Sequence, residues 1–144
     1  MHFYHERGCN FRSWIKIGDI YQATNNITAV VRDETGMFYE FQMLAGFRTN
    51  GGSVPWFAQW YVPSWSGTND LLNIAFSLHD GIYASGIMHR DLADDLLRGL
   101  ARDAGYSRTK AGLICWAVNK FGASHYGKDE LDTAQFIKLH VYNP

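Results

Sequence analysis

Leu71-Leu72-Asn73-Ile74-Ala75-Phe76-Ser77-Leu78-His79-Asp80-Gly81-Ile82-Tyr83-Ala84, then Asp91-Leu92-Ala93-Asp94-Asp95-Leu96-Leu97-Arg98-Gly99-Leu100-Ala101 after a short break, decides the class of this fold. Apolar residues at 71, 72, 74, 75, 78 and 82 recur at helical spacing over much of the circumference, which predicts a helix buried on most of its surface. Leu92, Ala93, Leu96, Leu97, Leu100, Ala101 and Ala104 trace one i, i+3, i+4 stripe ending near Gly105. Ser66-Gly67-Thr68-Asn69-Asp70 offers N-caps for the first helix, Gly86 stops it, and after a loop at 85 to 90 Asp91 begins the second with an acidic first turn. Ser107 caps a third helix running to about Phe121, with Leu113, Ile114, Val118 and Phe121 inward, and Gly122 terminates it.

Upstream the texture changes. Residues 1 to 12 mix polar and aromatic side chains without helical period and read as a mobile start; His2 and His5 there are either solvated or a terminal metal site. Apolar and polar residues partly alternate from Trp14 to Ile20, and Ile27 to Val31 and Met37 to Leu44 read as strands around turns at Asn25-Asn26 and Asp33-Glu34-Thr35-Gly36. Val30-Val31-Arg32 and Met37-Phe38-Tyr39-Glu40-Phe41 make a hairpin. The chain is thus expected to be α+β, a small N-terminal antiparallel β-sheet followed by a three-helix C-terminal half. The 144 residues fit a single domain, with the sheet over 12–45, a glycine- and aromatic-rich crossing loop over 46–69, the helical half over 70–122 and a tail over 123–144. In the tail, Phe136 to Val141 reads as a last strand or a short helix.

Charge and composition narrow the function. There are 13 Lys and Arg against 14 Asp and Glu, a net charge of −1, so no long-range field for a polyanion arises and no nucleic acid partner is expected. Cys9 and Cys115 are too few for a disulfide framework and too far apart to ligate zinc as a pair. No basic-then-apolar leader is seen, so no signal peptide is expected, and no apolar run approaches the roughly 20 residues of a membrane helix. Aromatic residues reach 15%, and three of the five Trp, Trp56, Trp60 and Trp65, fall in one ten-residue segment that reads as core, as a partner interface or as a belt at a bilayer surface.

The first helix carries the chemistry. At about 3.6 residues per turn His79 shares a face with Leu72, Ala75, Phe76 and Tyr83, an apolar wall that favours a neutral imidazole able to act as a base. Asp80 is rotated by about 100°, so base and ion ligand can be separate tasks on one helix. Asp94, at the edge of the second helix's apolar stripe, can reach His79 and fix its tautomer. Asp91 and Asp95 are explained as helix-start charges. The bland alternative is a core histidine with one hydrogen bond and first-turn carboxylates serving the helix dipole. Ahead of these residues, Gly46-Phe47-Arg48-Thr49-Asn50-Gly51-Gly52-Ser53-Val54-Pro55 is a glycine-rich loop whose paired glycines let backbone groups turn toward an ion, or is simply a turn leaving the sheet. It is no phosphate loop, because no Gly-Lys-Ser/Thr follows.

Phe47 to Pro55, Ala75 to Tyr83 with its His-Asp-x-x-Tyr, Ala93-Asp94 and Ala117 to Gly122 together resemble, in order, the phage and prophage family known as domain of unknown function 1353. The resemblance covers roughly residues 40 to 125. It implies a phage origin, in the host cytoplasm or in the virion, and no established activity. Asn50 stands where that family typically carries Asp, and a neutral amide is a weaker cation ligand. A glycine-rich loop, then His-Asp-x-x-Tyr, then a later Asp is also similar to the layout of phospholipases of the A2 class. That layout implies His79 as the base that activates water, Asp94 as its orienter and Tyr83 as a supporting hydrogen bonder. It further implies calcium held by Asp80, Asn50 and backbone groups at Gly51 and Gly52.

Two functions from different classes follow. One is a metal-assisted lipid or ester hydrolase that meets a lipid surface through Trp56, Trp60 and Trp65. The other is a phage structural or host-interaction protein, in contact with other phage proteins or a host protein, in which the polar cluster only locks the helices together.

Overall fold

The computed structural model describes residues 1–10, 12–50, 65 and 69–143. Among the described residues, seven strands and three α-helices are laid out in chain order: β1 (His2–Arg7), β2 (Trp14–Ile17), β3 (Ile20–Ala23), β4 (Ile27–Arg32), β5 (Phe38–Met43), β6 (Arg48–Thr49), α1 (Asp70–Ser85), α2 (Arg90–Asp103), α3 (Arg108–Phe121) and β7 (Ile137–Tyr142). The fold is α+β, as expected, with the antiparallel strands at the N-terminal side and three helices after them.

β4 and β5 form the expected hairpin, in register from Ile27 opposite Met43 to Arg32 opposite Phe38. Asp33 closes its turn by accepting from the backbone N–H of Thr35 at 2.9 Å and of Met37 at 3.0 Å. The period-2 pleat sends Ile27, Ala29, Val31, Phe41 and Met43 into the main hydrophobic cluster with the helices. Three of the strands, β1, β6 and β7, fall outside the expected span of 12–45. The mobile start is in fact β1, an edge strand paired to β4 from His2 opposite Arg32 to Arg7 opposite Thr28. The tail supplies β7, which joins the far edge beside β5, so the four-stranded sheet runs β1-β4-β5-β7. A second sheet, β2-β3-β6, brings Tyr21 opposite Thr49 and carries the chain to the start of the glycine-rich loop.

α1 is the central helix. Its residues 72 to 79 are all buried, which explains why its apolar pattern covers more than one face. Asn69 caps it by accepting from Leu72 N–H at 3.1 Å and donates from its amide to Ala104 O at 2.9 Å, tying the start of α1 to the end of α2. Gly86 ends it in the left-handed conformation, φ 67°, with its N–H on Ile82 O. Gly81 is there for close approach, since a Cβ at this position would lie 2.8 Å from Phe47 and 2.7 Å from Ile137. α2 turns Ala93, Leu96, Leu97, Leu100 and Ala101 inward, each fully buried Leu contributing about 1.5–3 kcal/mol. Leu92, expected in that stripe, is instead 44% exposed. α3 is capped by Ser107, as expected, and packs through Ala111, Ile114, Ala117 and Val118. Phe121, expected inward, is instead 46% exposed and meets the exposed Trp116 ring edge to face at 5.9 Å.

Candidate functional site

His79 and Asp94 meet where α1 packs on α2. The imidazole Nε2 lies 2.7 Å from Asp94 Oδ1, with both residues almost fully buried. Tyr83, one turn after His79, donates its hydroxyl to the same carboxylate oxygen at 2.6 Å, its ring 4.1 Å from the imidazole between centroids. Asn119 on α3 donates to the other oxygen, Oδ2, at 3.2 Å. Three helices therefore converge on one carboxylate. Burial pushes the Asp94 carboxyl up, but the hydrogen bonds from His79, Tyr83 and Asn119 outweigh it and hold the group below its ordinary value. Burial first, and then the bond to Asp94, push the Tyr83 hydroxyl well above its usual range, so it stays a donor.

This arrangement assigns the tautomer. In the neutral form, Nε2–H donated to a carboxylate leaves the lone pair on Nδ1, which has no hydrogen-bond partner among the described residues. A neutral histidine oriented in this way is the general form of a base that takes a proton from water.

Two residues that sequence reasoning missed complete the network. Arg90, the first residue of α2, donates Nε to the Tyr83 hydroxyl at 3.2 Å and Nη2 to the backbone carbonyls of Val118 and Asn119 near the end of α3. Asn119 is the other. Arg90 precedes Asp94 by four residues and so shares its helix face, a spacing visible in the sequence. Asn119 lies in the Ala117 to Gly122 segment quoted for the family resemblance, to which no role had been attached.

Asp80 points elsewhere. It accepts from the Thr49 hydroxyl at 2.5 Å, so β6 presents the start of the glycine-rich loop to this carboxylate. Asp80 and Asn50 line one cavity of about 100 Å³ together with Tyr83, His125, Lys128 and Asp129. Tyr83 is thus shared between cavity and carboxylate network. Of the expected ion ligands, Asp80 and Asn50 are brought together, whereas Gly51 and Gly52 lie outside the described residues. The Asp80 carboxylate and the Asn50 amide oxygen are donors suited to a hard cation such as calcium, and this much of the set fits, with His125 and Lys128 in the same lining. Among the described residues no group of three His, Cys, Asp or Glu converges to hold a metal without the loop.

Asp91 and Asp95 are exposed and take no part in the network. His2 Nδ1 lies 3.3 Å from Asp103 on α2, tying β1 to that helix. Trp65 is half-buried and stacks on Tyr21 at 4.0 Å between centroids; Trp56 and Trp60 lie outside the described residues. Burial, with Asp70 and Glu6 nearby, pushes the Cys9 thiol up to about 12, and burial with Asp95 and Asp94 raises Cys115, which disfavours the thiolate at both. Among the described residues, no helix is long and apolar enough to cross a membrane.

The model of a family described as Protein of unknown function (DUF1353) matches residues 26–118. The chain belongs to the DUF1353 family. The matched span holds every member of the DUF1353 site described above on β6, the loop start, α1 and α2, and ends one residue before Asn119. No curated protein and no solved structure matches this DUF1353 chain.

Proposed function

We propose that this DUF1353 protein is a phage-encoded, metal-assisted hydrolase of lipid or other carboxylic esters. The observation that carries the reading is the 2.7 Å contact of His79 Nε2 with Asp94 Oδ1, reinforced by Tyr83 on the same oxygen. His79 Nδ1 takes a proton from water, the water oxygen attacks the ester carbonyl, and the proton passes on to the departing alkoxide. Asp94 holds the ring and stabilises the imidazolium as it forms, and Tyr83, steadied by Arg90, keeps Asp94 in place. Asp80 and Asn50 would hold calcium with backbone groups of Gly51 and Gly52, and the bound ion would supply positive charge for the developing oxyanion.

The test is acyl release from a panel of phospholipids and soluble esters, with calcium or with chelator. Wild type cleaves a member of the panel with calcium, whereas His79→Gln and Asp80→Asn do not. No cleavage and no calcium-dependent rise in melting temperature would remove the proposal.

A second reading is favoured by the saturation of Asp94. Both of its oxygens are already occupied and its partners His79 and Tyr83 are buried, which suits a purely structural lock between three helices. In that case the chain is a phage structural or host-interaction protein. Asp94→Asn would then lower the melting temperature with no separable loss of activity, and the protein would be recovered in purified virions or bound to a host protein.

A further inference from the structure

We propose that the outward face of α3 is a docking surface for an anionic lipid bilayer, seated through Trp116 and Phe121 and held by Arg108 and Lys120. Trp116 is 48% and Phe121 46% exposed, yet the two rings meet edge to face at 5.9 Å. An exposed aromatic side chain standing alone is ordinary; two large ones in contact form a patch. Lys120 Nζ sits 5.3 Å from the Trp116 ring centre, so a cation is built into the apolar spot. Charge decides the occupant. Along its length, RTKAGLICWAVNKF, α3 carries Arg108, Lys110 and Lys120 and no Asp or Glu. The acids near it lie on its flank toward α2, where Asp95 faces Cys115 with Arg98 beside it. Tryptophan and phenylalanine partition into the interfacial layer of a bilayer, and lysines and arginines around them favour anionic headgroups.

The same helix reaches the site. Asn119, between Val118 and Lys120, donates to Asp94 Oδ2, so the turn that would touch the bilayer also touches the carboxylate that orients His79. The value of that continuity to catalysis rests on the hydrolase reading; the binding itself does not.

The experiment is co-sedimentation of the full chain with vesicles of phosphatidylglycerol mixed into phosphatidylcholine, against vesicles of phosphatidylcholine alone. Wild type binds the anionic vesicles and binding weakens as salt rises. The Trp116→Ser/Phe121→Ser double variant binds at least tenfold more weakly, and Lys120→Glu at least about fivefold. His79→Gln binds like wild type. Because the altered side chains are exposed, melting temperatures should match; if the double variant does not fold, Lys120→Glu alone carries the test. Binding by wild type without any lipid cleavage leaves the surface standing and removes the hydrolase. Three results would overturn the surface: no binding of wild type to anionic vesicles, undiminished binding by the altered proteins, or no vesicle binding together with a wild-type dimer that Trp116→Ser/Phe121→Ser converts to monomer.

Discussion

Asp94 carries more than any other single side chain. Replacing it with Ala leaves His79, Tyr83 and Asn119 without their shared acceptor, and each of the two buried donors, on His79 and Tyr83, left unsatisfied costs about 1–3 kcal/mol. Chemical denaturation of Asp94→Ala against wild type measures this. Asp94→Asn keeps the shape, so it is less destabilising while still removing the charge that fixes the histidine. The same residue sets a pH dependence. Its folded-state carboxyl lies below the ordinary value, so its contribution to stability is fully present above the unfolded-state pKa and disappears as pH falls through the folded-state one. Melting temperature should therefore drop on acidification below about pH 4, and Asp94→Asn should flatten that part of the profile. His79 and Asp94 were legible in the sequence because an imidazole on an apolar helix face needs a partner and the next helix offers a carboxylate at its stripe edge. Arg90 and Asn119 were not, since a polar residue at a helix end looks the same whether it meets water or a neighbouring helix.

Among the elements, α2 was the easiest to read and β1 the hardest. One face of α2 is apolar and the other charged, so its period is a local property of the chain. β1 has no such pattern. Its pairing with β4, some 25 residues away, and the contact of Phe3 N–H with Asp103 at 2.6 Å make it a strand, and neither partner is visible locally. β7 depends in the same way on β5, about a hundred residues earlier. Removing residues 1–7 should uncover the β4 edge, lower the melting temperature and promote aggregation, which light scattering during heating would detect. Where α1 passes Phe47 and Ile137, Gly81→Ala pushes a methyl group into both side chains and should cost about 1–3 kcal/mol. Because Gly81 follows Asp80, that substitution should also disturb the approach of Thr49 and Asn50, and its calcium response should fall with its stability.

At the scale of the whole molecule, the two sheets and three helices serve one arrangement. β6 delivers Thr49 to one side of α1, α2 delivers Asp94 to the other, and His79-Asp80 looks both ways from adjacent positions. The separation of the His79–Asp94 pair from Asp80 and Asn50 is what favours the proposed ester hydrolase over a helix bundle that is only locked. The most direct measurement is calcium-dependent acyl release by wild type and His79→Gln at a temperature where both are folded. The account predicts release by wild type that chelator abolishes, with His79→Gln slower by about a hundredfold or more. Release by His79→Gln at the wild-type rate, or none by wild type on any lipid or ester, would contradict it.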